Sequence, residues 1–517
     1  MRNRCIAAVL VAVPSLLLAG VANATAAAAS PPAIVSFTAT PHGASVLLTA
    51  TVRRATSCSF SGPGLSRTVA CSSGRATATV PTPRAASVTY TVVVRGKGGT
   101  ARRTVKVTAP QPTAVLTLGT ATVAYSGDVV HLTYSSTYAT SCTLAADPAL
   151  WSGANPARVS CNGSYDANIG LATTARSWTF TFTAANAAGR TATSTQTLTQ
   201  TAPAVPTASL TASATTVHST GGLVHLTYTG TNAVTCSLSS SPTFVIGANP
   251  ITNCSGTYDV TVPSAYGGRT TTFTFTAANG AGQTATSTQT VVQPGQSSNW
   301  SGYIEYSSST ITSVSGTWTV PRLDCSKTPN AGASEWVGIG GAGASTGILL
   351  QTGISTDCAG GVQTNSAWWE LLPAYATYFH GFTISVGDTI QATVFEGSNG
   401  SWETRVDDVT TGRSGVMVTG GGYGIMTDGS STFPISGSAN VSYSGGYSAE
   451  WIVEAYEANG SQVGLAAYGT VTFSNLTSSV SLSSLTLEDG VELVTGGTVL
   501  SWPAAPSGSS FSISYSG

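Results

Sequence analysis

An internal repeat constrains the fold of this chain more than any other feature. The strings DVVHLTYSST and WTFTFTAANAAGRTATSTQTL, within residues 112–202, return as GLVHLTYTGT and TFTFTAANGAGQTATSTQTV within residues 206–293. Short runs that alternate apolar and polar residues, bounded by Gly and Pro, are typical of half-buried strands. Each copy therefore predicts an all-β sandwich of about seven short strands.

A shorter and diverged copy precedes these two. Residues 31–109 contain SVLLTATVRRATSCSF, VACSSG and VTYTVVVRGKGGTARRTVKV, in the same order of strand runs. The copies lack the Cys-to-Trp-to-Cys spacing of antibody domains, so the class is immunoglobulin-like (Ig-like) rather than antibody-like. We predict three tandem Ig-like β-sandwiches, at residues 31–109, 110–202 and 203–295.

The first 24 residues read as a secretory signal peptide. They combine a basic start, an apolar stretch and the small-residue end Ala22-Asn23-Ala24. The apolar stretch is short for a membrane span, and no later run is long and apolar enough to cross a bilayer. We therefore expect a secreted, extracellular protein without a transmembrane segment.

Cysteine usage agrees with an oxidising compartment. Apart from Cys5, eight cysteines remain, and two fall in each of the three modules and in the C-terminal region. This distribution predicts four local disulfides. No CxxC motif occurs and the histidines do not cluster near the cysteines, so we predict no metal and no cofactor.

Charge is scarce and unevenly distributed. Only 8% of residues are charged, yet 17 of the 21 acidic residues follow residue 295, where four basic residues stand. Residues 31–109 carry ten Lys and Arg and no acid. This basic module could dock on the acidic region as a pro-segment, bind an anionic cell-wall polymer, or simply be solvated. Nothing points to nucleic acid, and we expect a monomer.

Residues 296–517 form a different region, in which aromatic residues and carboxylates concentrate. Strand patterns such as NWSGYIEY, SEWVGIGG, GILLQTG and AEWIVEAYE predict one all-β domain. Two packed antiparallel sheets, a large sandwich of the concanavalin-like type, would bury a core of this size.

Residues 449–457, AEWIVEAYE, place scarce carboxylates on a strand. Side chains alternate along a strand, so Glu450, Ile452 and Glu454 share one face, and Trp451 and Val453 share the other. The second face suits an inter-sheet core. The first predicts a cleft or a water-facing surface, with solvated acids as the simpler alternative.

Other chemistry has little support in this region. The one histidine there, His380, limits nucleophilic triads. Ser345, in GASTG, lies between two predicted strands and not on a strand-to-helix turn. The GGGYG run of residues 420–424 lacks the context of a phosphate-binding loop. His131 and His225 occupy matching repeat positions and read as ordinary sandwich histidines. Carboxylate acid/base chemistry is what remains.

The ordered motifs SNWSGY, VSGTWTVP, SEWVGIGG, ILLQTG, SAWWELLP, AEWIVEAYE and YGTVTFSN resemble the glutamic peptidase (eqolisin) family. The resemblance covers roughly residues 296–517, and implies a two-sheet sandwich with a concave substrate-binding face. It places the family's catalytic glutamine at Gln351 and its catalytic glutamate at Glu454. Strand alternation alone does not choose between Glu450 and Glu454.

The resemblance also suggests residues that border the substrate. Trp336 and Glu370 match motif positions at the family's cleft, and Trp300 matches the SNW motif. Each could equally be a packing aromatic or a solvated acid. Departures at Gly340–Ala342, Ser355 and Leu371–Leu372 leave substrate preference and working pH undetermined. Asp357 and Asp388 are expected to be structural.

The predicted function is a secreted, acid-active endopeptidase that hydrolyses protein or peptide substrates by water activation with a Glu/Gln pair. One alternative is a carbohydrate-binding or glycan-cleaving sandwich. Glu450 and Glu454 are about 13 Å apart by strand rise, too far for a glycosidase pair, so that reading needs Glu370 or another strand. A third reading is an inactive surface adhesin.

Overall fold

A computed structural model describes residues 29–42, 45–83, 86–343, 348–419, 423–426, 432–434 and 443–517. The regular structure of these residues is β-strand apart from one 3-10 turn, Leu487–Asp489. The predictions for the signal peptide, for Ser345 and for residues 420–422 lie outside the described residues. Contacts divide the chain into two compact units, Met1–Pro203 and Ala204–Gly517.

In chain order, each of the three N-terminal modules contains its own set of strands. Module 1 contains β1 to β7: Ala33–His42, Ser45–Arg53, Ser57–Gly62, Leu65–Ala70, Arg75–Pro81, Ser87–Gly96 and Gly99–Thr108. Module 2 contains β8 to β15: Val115–Leu118, Thr122–Val123, Asp128–Ser135, Ser141–Asp147, Ala157–Val159, Gly163–Ile169, Arg176–Ala185 and Thr191–Gln200. Module 3 contains β16 to β21: Thr207–Ala212, Gly222–Thr231, Thr235–Ser241, Ser255–Val262, Arg269–Ala278 and Thr284–Gln293.

Each module is a sandwich of two sheets. The strand orders are β1-β2-β5 and β4-β3-β6-β7, then β13-β10-β8 and β12-β11-β14-β15-β9, then β16-β17-β19 and β18-β20-β21. Alternate residues of β14 and β20, such as Phe180 and Phe273, are buried in the modules' cores, as the TFTFT pattern predicts. The four predicted local disulfides are confirmed: Cys58–Cys71, Cys142–Cys161, Cys236–Cys254 and Cys325–Cys358.

The C-terminal domain contains the remaining strands. The first ten are β22 to β31: Gly295–Ser297, Trp300–Ile311, Ser313–Thr319, Gly332–Gly340, Leu349–Ala359, Val362–Leu371, Thr377–Tyr378, Thr389–Glu396, Trp402–Asp408 and Arg413–Val418. The last nine are β32 to β40: Tyr423–Met426, Thr432–Pro434, Gly446–Glu454, Glu457–Ala458, Ser461–Gln462, Thr470–Ser478, Gly490–Thr495, Thr498–Pro503 and Phe511–Tyr515.

Two layers make up the domain, as predicted. The first, here called the front sheet, has the order β28-β27-β26-β25-β34-β23-β38. The back sheet has the order β37-β24-β29-β30-β31-β32-β33. The strands β39 and β40 connect β38 to β37, so the two sheets form one continuous ribbon folded over a shared core.

Strand alternation decides which side chains enter that core. Val337 of β25 and Trp451 and Val453 of β34 are fully buried between the sheets, together with Trp318 of β24 and Ile390 of β29. The predicted core face of AEWIVEAYE is therefore confirmed. The described residues contain no helix that is long and apolar enough to span a membrane.

Candidate functional site

A second, smaller apolar cluster covers the outer face of the front sheet, the face turned away from the back sheet. It contains Ile304, Trp336, Leu349, Trp368 and Ile452. These side chains come from β23, β25, β26, β27 and β34, so five neighbouring strands contribute to one surface. The polar residues predicted for the site stand on the same strands with the same alternation.

Glu454 lies at the end of β34, between β23 and β25. In the sheet register it stands opposite Trp300 on β23 and opposite Ser334 on β25. Its Oε2 accepts a hydrogen bond from the indole Nε1 of Trp336 at 2.9 Å, and its Oε1 accepts one from the Nδ2 of Asn299 at 2.7 Å. The carboxyl group is therefore held from two sides.

Burial raises the pKa of Glu454 to about 7. The N–H groups of Trp300, Trp336 and Asn299 favour the charged form and lower the pKa against this effect, while the charge of Glu370 raises it further. The Trp300 Nε1 has no hydrogen-bond partner of normal geometry, although it is near enough to act on the carboxylate. A carboxyl with a pKa near 7 can both accept and return a proton at physiological pH.

Gln351 lies on β26 directly opposite Glu370 on β27. Its Nε2 donates to the Oε2 of Glu370 at 2.6 Å, and its Oε1 is buried without a hydrogen-bond partner. One N–H of the amide and its carbonyl oxygen therefore have no protein partner. Desolvation raises the pKa of Glu370, and the hydrogen bond from Gln351 lowers it.

The amide of Gln351 and the carboxyl group of Glu454 belong to the same face, with β25 between them. Gln351 stands opposite Gly338 of that strand, and Glu454 stands opposite Ser334. Trp336 lies between these two positions and is fully buried. A Cβ on Gly338 would come within 2.9 Å of the Trp336 ring and 3.2 Å of the Gln351 Cβ, so glycine leaves room for both side chains.

All five residues predicted for the site are thus on one face. Trp300 and Trp336 pack edge to face with ring centroids 5.1 Å apart, and the carboxyl groups of Glu370 and Glu454 are near enough to interact electrostatically. The sequence reasoning missed Asn299, which binds Glu454 directly. Its signal was available, since Asn299 precedes Trp300 in the same SNW motif.

Glu450 differs from the prediction that its face is a cleft or water-facing surface. Its side chain is completely buried, and neither carboxyl oxygen has a hydrogen-bond partner of normal geometry. Burial raises its pKa well above the usual value, and a hydrogen-bonding effect of Ser448 only partly opposes this. Alternation predicts which face a residue points to, but not how deeply that face is buried. Glu450 stands opposite Ile304 and Gly338 on the neighbouring strands.

Asp357 and Asp388 make the structural contacts expected of them. Asp357 accepts a hydrogen bond from the Tyr456 hydroxyl, and Asp388 accepts one from the Ser385 backbone N–H at 2.7 Å. Among the described residues no group of three or more metal-ligating side chains occurs. His380 is exposed after β28.

Comparisons with known proteins agree on the C-terminal domain. Residues 298–515 match the Peptidase A4 family. Aspergillopepsin-2 of Aspergillus niger is 31% identical over 239 residues, which cover 42% of this chain and 78% of that protein. Scytalidopepsin B of Scytalidium lignicola is 40% identical over 116 residues, 22% of this chain and 42% of that protein. A crystal structure of scytalido-glutamic peptidase with a transition state analog inhibitor is 27% identical, covers 42% of this chain and 98% of its own, and gives a TM-score of 0.33.

Proposed function

Since the chain belongs to the Peptidase A4 family of glutamic peptidases and is an endopeptidase, we propose that it hydrolyses peptide bonds with Glu454 and Gln351 as its catalytic pair. The observation that carries this proposal is the shared face of the front sheet. There, a carboxyl with a pKa of about 7 and an amide with free hydrogen-bonding capacity lie on either side of β25.

In the proposed mechanism, Glu454 is the general base. As a carboxylate it takes a proton from the attacking water, and it then returns the proton to the leaving nitrogen. The N–H donors of Trp336 and Asn299 fix the orientation of the carboxylate, so it does not have to reorganise during the reaction. Its elevated pKa makes both proton transfers accessible near the working pH.

Gln351 is the proposed partner of the oxyanion. One N–H of its amide is bound to Glu370, which fixes the amide plane, and the other can donate to the developing negative charge. The unpartnered carbonyl oxygen can hold the attacking water. A neutral amide at this position also adds no charge repulsion on Glu454 beyond that of Glu370.

We propose that the enzyme is most active between the pKa of Glu454, about 7, and the pKa of Glu335, about 8, and the acid activity expected from the sequence remains a prediction. The base must be ionised, so kcat/KM falls as pH drops below the Glu454 pKa of about 7. At higher pH, ionisation of the buried Glu335 and Glu450 opposes the folded state. The acid-rich composition of the domain acts in the same direction, because protonation relieves its self-repulsion.

Secretion is part of the proposal. The predicted signal peptide and four disulfides support an extracellular site of action. Unfolded or extended protein segments are the proposed substrates, bound across the outer face of the front sheet. A cell-wall ligand for the Ig-like modules, a pro-segment role for residues 31–109 and a monomeric state remain predictions.

The experiment that tests the proposal is cleavage of a denatured protein substrate by the full chain between pH 3 and pH 8. We expect cleavage that resists aspartic-peptidase and serine-peptidase inhibitors and metal chelators. Activity on glycans without proteolysis would reject the catalytic proposal in favour of a glycan-cleaving sandwich.

Gln351→Ala is expected to lower kcat by about 100-fold, since one oxyanion donor contributes roughly that much to transition-state stabilisation. KM should change far less, because the interaction develops mainly in the transition state. Steady-state kinetics on a fluorogenic peptide identified from the cleavage products would measure both constants.

Gln391→Ala is the matched control, because Gln391 lies half-buried on β29 of the back sheet. It should retain wild-type kinetics. A Gln351→Ala enzyme with a kcat within threefold of the control would remove the amide from the proposed mechanism.

A further inference from the structure

One contact between module 3 and the C-terminal domain is made by a buried carboxyl group, that of Glu492 on β38. Its side chain is 2% exposed. The Nδ1 of His218 lies 2.6 Å from its Oε1, and the backbone N–H and hydroxyl of Ser219 donate to its Oε2 at 2.8 and 2.5 Å. The His218 ring also packs edge to face on Trp502, with centroids 5.6 Å apart. We call His218, Ser219 and Glu492 the clamp.

The hydrogen-bonding capacity of the Glu492 carboxyl group is satisfied within the clamp. Both oxygens of Glu492 are bound, and the hydrogen bond from His218 raises the pKa of that imidazole, which favours its charged form. A buried carboxyl group needs hydrogen-bond partners of this kind to offset the cost of its desolvation. Removing His218 would leave the carboxyl group of Glu492 buried without this partner, whereas the His218 ring is half exposed.

A second contact flanks the clamp. The hydroxyl of Thr270, in module 3, donates to the Oε2 of Glu488 at 2.6 Å. The neighbouring Gly268 lies so close that a Cβ there would come within 1.7 Å of the Glu488 carbonyl oxygen. Module 3 and the 3-10 turn at Leu487–Asp489 therefore meet backbone to backbone. These residues belong to one compact unit, Ala204–Gly517.

The segment that leaves module 3 is held by the same contacts. Strand β22, Gly295–Ser297, pairs in parallel with β38, and Gln296 stands opposite Glu492. The backbone N–H of Gln296 donates to the Tyr266 carbonyl at 2.8 Å, and its side-chain Nε2 donates to the Ser219 carbonyl at 3.0 Å. Gln296 is thus fixed between the module and the strand that carries the clamp carboxylate.

From β22 the chain reaches the site within two residues. The hydroxyl of Ser297 accepts hydrogen bonds from the backbone N–H groups of Asn299 and Trp300. Asn299 then donates a hydrogen bond from its side-chain Nδ2 to Glu454, and its backbone carbonyl oxygen accepts one from the backbone N–H of Ala455. Hydrogen bonds, joined by the backbone of Gln296 and Ser297, therefore link the clamp to the carboxyl group of Glu454.

We propose that module 3 is a working part of the catalytic unit, and that His218, Ser219 and Glu492 are positioning residues for Glu454. The clamp fixes β22, β22 fixes Asn299, and Asn299 orients the carboxylate and lowers its pKa. This inference rests on the proposed role of Glu454 as the base. Module 3 is then more than a spacer between the catalytic domain and the preceding modules.

The test uses the full chain and the variants Glu492→Gln and Ser219→Ala. Glu492→Gln places an amide N–H₂ group against the donors of the clamp, so β22 should loosen. We expect kcat to fall about tenfold with KM changed less than twofold, because a displaced catalytic group costs rate rather than binding. The acid limb of the pH profile should move to higher pH, since Asn299 no longer lowers the Glu454 pKa. Ser219→Ala removes only one donor and should give a smaller change of the same kind.

His225→Ala and Asp259→Asn are the matched controls. The same type of pair, with Nδ1 2.6 Å from Oδ1, lies exposed on β17 and β19 of module 3. These variants should keep wild-type kcat and the wild-type pH profile.

A double-mutant cycle identifies the route of the effect. If Glu492 acts through Asn299, then Glu492→Gln should have little further effect on kcat in an Asn299→Ala background. Additive effects, or wild-type kcat and pH profile in both clamp variants, would overturn this inference.

Thermal unfolding of each variant shows that it is folded at the assay temperature. A wild-type protein without peptidase activity would instead overturn the proposed function, and Glu454→Gln as active as wild type would overturn the proposed catalytic pair.

Discussion

Glu454→Gln is expected to lower kcat/KM by about 1,000-fold or more while the protein stays folded, since it removes the general base and keeps the shape of the side chain. The amide can still accept a hydrogen bond from Trp336 or Asn299, so substrate should bind with nearly unchanged KM. Steady-state kinetics at the pH of highest wild-type activity would measure the loss. Active-site titration should accompany it, because traces of wild-type enzyme could mimic residual activity.

The same substitution should change stability little, because one of the donors Trp336 and Asn299 loses its acceptor while a desolvated charge is removed. The carboxyl of Glu454 has a raised pKa because it is desolvated, so its charged form opposes folding above that pKa. A large fall in activity together with a small change in stability distinguishes a catalytic role from a structural one.

Glu457→Gln is the matched control. Glu457 follows Glu454 by three positions, on the short strand β35, and is exposed. It should retain wild-type kcat/KM. A Glu454→Gln enzyme with more than a tenth of the control's activity would refute the proposed base, and Glu370 would then be the next carboxyl to test.

Sequence pattern predicted the parts of the fold that alternation controls. The runs TFTFTAA and AEWIVE assign alternate residues to opposite faces, and Phe180, Trp451 and Val453 are buried as that pattern requires. Cysteine distribution predicted the four disulfides, because each pair lies within one predicted segment. Resemblance to a family, rather than pattern, selected Gln351 and Glu454.

The sequence pattern could not predict how deeply a strand face is buried by residues that are distant in sequence. Glu450 and Glu454 share one face of β34, yet Glu450 is completely buried and Glu454 only partly so. Glu450 stands opposite Ile304 of β23, which is distant from it in sequence, whereas Glu454 stands at the strand end opposite Trp300. The clamp was hidden for the same reason, since His218 and Glu492 are 274 residues apart. Local periodicity carries no information about such pairs.

Glu335→Gln is expected to stabilise the protein at pH 8 by roughly 2–4 kcal/mol relative to its effect at pH 5. Glu335 of β25 points into the core between the sheets and is completely buried. The hydroxyl of Thr356 donates to its Oε1 at 3.2 Å, yet burial still raises its pKa to about 8. Because this folded-state pKa lies above that of the unfolded chain, the folded protein binds the proton more tightly. The stability that the protonated group contributes is complete at acid pH and is lost as pH rises toward 8.

The sign of the pH dependence is what makes the test specific. Glutamine cannot ionise, so the variant escapes the loss at high pH, but it gains nothing at pH 5, where Glu335 is already neutral. Its extra N–H needs an acceptor in the core, which makes the variant neutral or slightly less stable than wild type in acid. Chemical unfolding at both pH values gives the difference. Glu450→Gln should change in the same direction, since burial raises that pKa too.

Glu396→Gln, at an exposed position of β29, is the matched control and should change stability equally at both pH values. Equal effects of Glu335→Gln at pH 5 and pH 8 would mean that Glu335 is not held neutral by the core. The loss of activity above neutral pH would then need another cause, such as the titration of Glu370 beside the amide of Gln351. Glu335→Gln could instead extend activity to higher pH without changing the acid limb of the pH–activity profile. The acid and alkaline limbs of that profile would then have separate origins. Glu454 then sets the lower one through catalysis, and the buried carboxyls set the upper one through stability.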